Sequence, residues 1–217
     1  SSGEWKAMVA DEAARTTFAK NIKTVLEKNK LDGIDLDFEW AENEKEYKDY
    51  SLAILKMREV LGNKYLFSVS LHPVCYKISK EAIEAVDFIS LQCYGPSPVR
   101  FPIEKYCSDI QMVLEYGIPK EKLVAGVPFY GVTKDNSKKT EAYFNFVQNG
   151  LVTSPAQNEV IYQGDTYVFD GQDNIRIKTR YAKEQKLKGM MSWDLATDLP
   201  LSDSRSLLKT MTEELRE

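Results

Sequence analysis

Between Asp32 and Trp40 the chain reads Asp-Gly-Ile-Asp-Leu-Asp-Phe-Glu-Trp, with apolar and acidic residues in strict alternation. On a β-strand, Ile34, Leu36 and Phe38 then point one way and Asp35, Asp37 and Glu39 the other. Neighbouring carboxylates on one strand face sit ~6.7 Å apart. Two ionised ones repel by about 2.5 kcal/mol at an effective dielectric of ~20, nearly two pKa units. Such a row keeps at least one proton near neutral pH, and a carboxylic acid still protonated there can act as a general acid. Three chemistries are open: a catalytic row, a divalent-cation site built from carboxylates, and a solvated strand face. Elsewhere the strand ends offer a cation only isolated acids such as Asp194. A solvated face fits poorly if helices cover the sheet. The elements around this strand therefore matter.

Apolar periodicity predicts helices over 11–30, 42–61, 81–86, 103–116, 175–187 and 204–215. Strands are predicted over 32–40, 65–71, 88–94, 123–130 and 189–193. A loop with Pro96, Pro98 and Pro102 precedes the fourth helix, and 132–172 reads as an inserted, hairpin-rich excursion. Strict βα alternation with near-continuous apolar strands implies parallel strands covered by helices. Both a βα barrel and a doubly wound sheet fit that spacing. No GxGxxG follows the first strand and no GxxxxGK[ST] occurs, which disfavours phosphate-cradling folds. Five strands are visible, whereas a closed βα barrel has eight.

Composition narrows the partners. The 217 residues carry 29 Lys+Arg against 33 Asp+Glu, a net charge of −4, so no basic field for duplex nucleic acid exists. No apolar run is long enough to span a bilayer, and Ser1–Trp5 lacks the charged and apolar regions of a signal peptide. Three cysteines (75, 93, 107) and one histidine build no metal-ligand motif. Cys93 reads as a small core residue, and a catalytic cysteine would have only His72 as partner. No cofactor or metal is expected.

The run Asp32–Glu39 resembles the DGxDxDxE signature of glycoside hydrolase family 18, the chitinases and related endo-β-N-acetylglucosaminidases. Gln92-Cys93-Tyr94 resembles the family's sixth-strand segment, and Val127-Pro128-Phe129-Tyr130-Gly131 its seventh-strand "PFYG" run. Gly189–Asp194 resembles the eighth-strand segment whose tryptophan floors the sugar site. The resemblance implies a TIM (β/α)8 barrel with only strands four to eight in this chain, the first three lying upstream. It implies one catalytic domain over 1–217, with 132–172 inserted within it.

The resemblance also implies a retaining, substrate-assisted reaction, in which the 2-acetamido group of the sugar attacks its own anomeric carbon and gives an oxazolinium. Glu39 would protonate the glycosidic oxygen, Asp37 would bind the acetamido N–H, and Asp35 would share a proton with Asp37. Tyr94 would donate to the acetamido oxygen and Trp193 would stack under the ring, with Tyr130 and Gln92 as further substrate-binding residues. Asp32 would be structural. Gly95 stands where many members have Asp, and Val132 where Arg is frequent. The implied substrate is β-1,4-linked N-acetylglucosamine in chitin or its oligosaccharides, and the implied location is secreted, periplasmic or cell-surface. Two alternatives share the fold: cleavage of the N-glycan chitobiose core, and lectin-like sugar binding without hydrolysis. Oligomeric state is left unknown.

Overall fold

The computed structural model describes residues 2–94, 101–135 and 139–216. Gly95, Pro96 and Pro98 lie outside the described residues; Pro102 lies within them. The chain forms two compact units, Ser1–Leu91 with Val113–Leu123, and Gln92–Met112 with Val124–Glu217.

The first unit begins with helices α1 (Ser2–Ala10) and α2 (Glu12–Asn29), followed by β1 (Gly33–Asp37) and α3 (Glu44–Leu61). Then come β2 (Leu66–Leu71), α4 (Lys80–Ala85) and β3 (Phe88–Leu91). Helix α1 was not legible in the sequence, because its short run has no apolar stripe. Tertiary contacts hold it: Val9 is buried, and Trp5 packs on Phe18 and Phe38, with centroids 5.4 and 6.0 Å apart. Helix α2 starts where the Asp11 side chain accepts from the Ala14 N–H, and ends at Lys30 in the left-handed region. Helix α3 starts in the same way, Asn43 accepting from Glu46, and stops at Gly62 with a φ of 60°.

Strands β1, β2 and β3 pair in parallel, Asp35 opposite Ser68 and Asp37 opposite Ser70. Gly33 is required by the close approach of β2, since a Cβ there would lie 2.2 Å from the Leu66 carbonyl oxygen. Asp32 opens the ladder through its backbone, accepting from the Leu66 N–H at 2.9 Å. The ladder stops at Asp37, three residues short of the expected strand end at Trp40.

Helix α5 (Ile103–Tyr116) is followed by β4 (Leu123–Pro128), β5 (Tyr130–Thr133), β6 (Thr140–Ala142) and α6 (Tyr143–Gln148). The chain closes with β7 (Glu159–Tyr162), β8 (Asp165–Val168), α7 (Gln172–Glu184), β9 (Gly189–Trp193) and α8 (Leu207–Arg216). In the second unit β4 and β9 pair in parallel, while β6, β5, β8 and β7 form an antiparallel sheet. The single strand expected over 123–130 is thus split after Pro128, because Tyr130 joins the antiparallel sheet. Helix α6, absent from the sequence reading, sinks Tyr143, Phe146 and Val147 into the core beside Phe169. Asp198 anchors α8 by accepting from the Leu207 and Leu208 N–H groups and the Ser206 hydroxyl. The five parallel strands lie where the alternation placed them.

Candidate active site

Strand β1 divides its side chains as its alternation dictates. Leu36 and Phe38 are buried, while Asp35, Asp37 and Glu39 are exposed. The buried set packs on α3, with the Phe38 and Tyr50 rings 4.9 Å apart and the Tyr50 hydroxyl donating to the Leu36 carbonyl at 3.2 Å. Burial, reinforced by the negative charge of Asp35 and Asp37, pushes the Tyr50 hydroxyl well above its ordinary range. That phenol stays a donor and fixes the back of the acidic strand.

On the acidic face, the Ser68 hydroxyl donates to Asp35 Oδ1 at 2.6 Å and the Ser70 hydroxyl to Oδ2 at 2.7 Å. Both carboxyl oxygens of Asp35 are therefore engaged and its orientation is set. The sequence reading passed over these serines. A signal was present, because Ser68 and Ser70 recur at period two within an otherwise apolar strand. Glu39 lies two residues beyond the last ladder pair, on the segment Phe38–Ala41, and its peptide bond to Trp40 is cis.

Gln92, Tyr94, Tyr130 and Trp193 belong to the second unit. Tyr94 and Tyr130 meet edge to face, with centroids 6.4 Å apart, in a cluster completed by Phe101, Val132, Val168 and Met191. The Tyr94 hydroxyl lies 3.9 Å from the Met191 sulfur. Gln92 is buried immediately after β3. Trp193 ends β9 on the same face as Met191 and is 57% exposed, leaving an indole surface open to a ligand. Its carbonyl accepts from the Phe129 N–H at 2.8 Å, and its peptide bond to Asp194 is also cis. Val132 is part of the buried cluster, so this position is taken up by packing.

Cys93 is a core residue, its thiol pushed up by complete burial. Among the described residues no group of three or more His, Cys, Asp or Glu side chains is arranged to hold a metal ion, and no helix is long and apolar enough to cross a membrane.

Parallel strands alternating with helices define an α/β protein. The profile described as "Glycosyl hydrolases family 18" matches residues 1–198, and the chain belongs to that family. A curated relative, "Probable chitinase 2" of Drosophila melanogaster, is 23% identical over 91% of this chain and 54% of its own length. The chain thus spans about half of that relative. A chitinase from Bacteroides thetaiotaomicron superposes with a TM-score of 0.86 at 21% identity, over 98% of this chain and 72% of the other. A chitinase-like agglutinin from Robinia pseudoacacia superposes at 0.82 with 18% identity, over 98% and 76%. Fold likeness thus extends to a protein described as an agglutinin.

Proposed function

We propose that this chain is the catalytic part of a retaining chitinase that cleaves β-1,4-linked N-acetylglucosamine by substrate assistance. The observation that carries the reading is the exposed row Asp35 and Asp37 on β1 and Glu39 just beyond its end, with Asp35 held by two hydroxyls. The five parallel strands are strands four to eight of a (β/α)8 barrel, and residues 132–172 are an insertion within it. Barrel enzymes carry their chemistry at the carboxyl ends of such strands, where Glu39, Tyr94 and Trp193 fall.

In this reaction Glu39 donates its proton to the departing glycosidic oxygen. The acetamido carbonyl of the same sugar closes on C1, and an internal nucleophile of that kind can reach an effective molarity of ~10⁵ M or more. Asp37 holds the acetamido N–H, and Tyr94 donates to the carbonyl oxygen until it attacks. Glu39 then takes a proton from the water that opens the oxazolinium. Trp193 stacks under the pyranose ring. A substrate of this kind supports a location outside the cell, in the periplasm or at the cell surface. Glu39 also argues for hydrolysis over lectin-like binding, since a protein that only binds sugar has no use for a proton donor.

Substrate comparison tests the reading. Chitotetraose is expected to be cleaved with retention at C1, and cellotetraose, which has hydroxyl in place of acetamide, to be inert. An N-acetylglucosamine thiazoline should inhibit competitively. Inverted product seen by NMR, or efficient cellotetraose cleavage, contradicts the mechanism. Release of glycan from a high-mannose glycopeptide in preference to chitotetraose cleavage moves the substrate to the N-glycan core. Chitotetraose binding without cleavage makes the protein a lectin.

A further inference from the structure

The strand carrying the acids ends before Glu39 does. Pairing with β2 stops at Asp37 and Ser70, so Phe38–Ala41 must be held by something other than the sheet. The exit of β2 supplies it. His72 and Cys75 pair across a tight turn, with N–H to carbonyl distances of 3.2 and 2.7 Å. From that turn the Cys75 sulfur accepts the Ala41 N–H at 3.2 Å and lies 3.9 Å from the Phe38 carbonyl, which its thiol proton can reach. One sulfur thus ties both ends of the four-residue segment around Glu39. Between those ends, Trp40 stands at 90° to the His72 ring, 4.4 Å between centroids. The turn is itself braced, because His72 Nδ1 accepts from the Val74 N–H at 3.3 Å and the Tyr47 hydroxyl donates to the Val74 carbonyl at 3.3 Å.

We propose that Cys75 and His72 are positioning residues for Glu39, holding its backbone from the neighbouring strand so that the carboxyl meets the glycosidic oxygen. Neither needs to touch the sugar. Cys75 and His72 are only 1% and 3% exposed, which suits an anchor rather than a reactive thiol. Burial, with Asp37 and Glu39 adding, raises the Cys75 pKa, so the thiol keeps the proton it offers to Phe38. The titratable and charged groups around this segment and its anchors include Asp37 from β1, His72 and Cys75 from the turn, and Tyr47 and Tyr50 from α3; just beyond Ala41, Glu42 meets Glu46 from α3 and Lys6 from α1.

The inference rests on the proposed function, and its test separates the two. In the full-length protein, Cys75→Ala should lower kcat on chitotetraose about 10- to 100-fold, the loss that follows a displacement of roughly 1 Å, while KM changes little. Carbon-13 NMR should show the side-chain carboxyl resonance of Glu39 displaced in Cys75→Ala. Cys75→Ser, whose hydroxyl can both donate and accept, should return kcat and the resonance toward wild type. His72→Phe keeps the ring contact but loses the Val74 bond, and should shift both readings in the same direction. Wild-type protein that cleaves no chitooligosaccharide overturns the function, yet the Glu39 resonance still decides the positioning. Folded Cys75→Ala with kcat and the Glu39 resonance unchanged overturns the positioning. Should Cys75→Ala not fold, unchanged readings in both Cys75→Ser and His72→Phe overturn it equally.

Discussion

Glu39→Gln is expected to abolish measurable chitooligosaccharide cleavage while leaving binding nearly intact. The amide keeps the shape of the side chain and a hydrogen-bonding head, but it has no proton to give. General-acid loss costs roughly 10²–10⁴-fold in turnover, about 3–5.5 kcal/mol of barrier, and more where the leaving alkoxide is poor. Binding should persist because Trp193 and the Tyr94 cluster are untouched in their own unit. Calorimetry on the variant in the full-length protein should therefore give an affinity close to wild type, and single-turnover kinetics should give the loss. Asp37→Asn should slow turnover less, since the role proposed for Asp37 is to stabilise charge rather than to donate the proton. Near-wild-type turnover in Glu39→Gln removes Glu39 as the acid.

The second large effect lies away from the chemistry. Lys178 and Asp170 form an ion pair at 2.5 Å with side chains 1% and 0% exposed, and the Lys178 ammonium lies 5.5 Å from the Tyr106 ring centre. Burial pushes the Asp170 carboxyl up, while Lys178 and Asn174 draw it back down. Lys178→Met fills the same space but strands a buried carboxyl. Breaking such a pair costs about 3–5 kcal/mol, which lowers the melting temperature of a chain this size by roughly 6–20 °C. Adding Asp170→Asn should restore much of that loss, because the amide can still accept from Asn174 and no longer needs a counter-charge. A thermal-melting cycle over the two single variants and the double reads the coupling. Additive losses mean that the two residues do not act as a pair.

Side chains that share a strand were readable from the sequence, and side chains that meet across elements were not. The acidic row and its buried counterpart could be assigned because period two forces Asp35, Asp37 and Glu39 onto one face. The other four parallel strands were legible as apolar runs bounded by turn residues. The early end of β1 was not, because alternation continues through Trp40 although the ladder stops at Asp37. Ser68 and Ser70 were visible as polar interruptions, but their meaning depends on the register that sets them beside Asp35. The Tyr94–Tyr130 contact joins residues 36 positions apart, one in the turn after β3 and one on β5, and no local pattern encodes that. Helix α1 exists through the burial of Val9 and the packing of Trp5 on Phe18 and Phe38, a tertiary effect that overrides weak propensity.

The pairing of β4 with β9 also bears on how the chain acquires its structure. In the first unit, Gly33 waits for Leu66 and Ser68 for Phe88, whereas Val124 must wait for Gly189. The last interval is about twice the first, and each doubling of a closing loop adds roughly 0.6 kcal/mol of entropy cost. Contacts that are distant in sequence also form later in folding. A chain emerging from the ribosome can therefore complete the ladder beneath Asp35 and Asp37 before the strand that ends in Trp193 has been made. Pulse-labelled hydrogen exchange should find β1–β3 amides protected ahead of β4 and β9, and simultaneous protection would show that the two units fold as one.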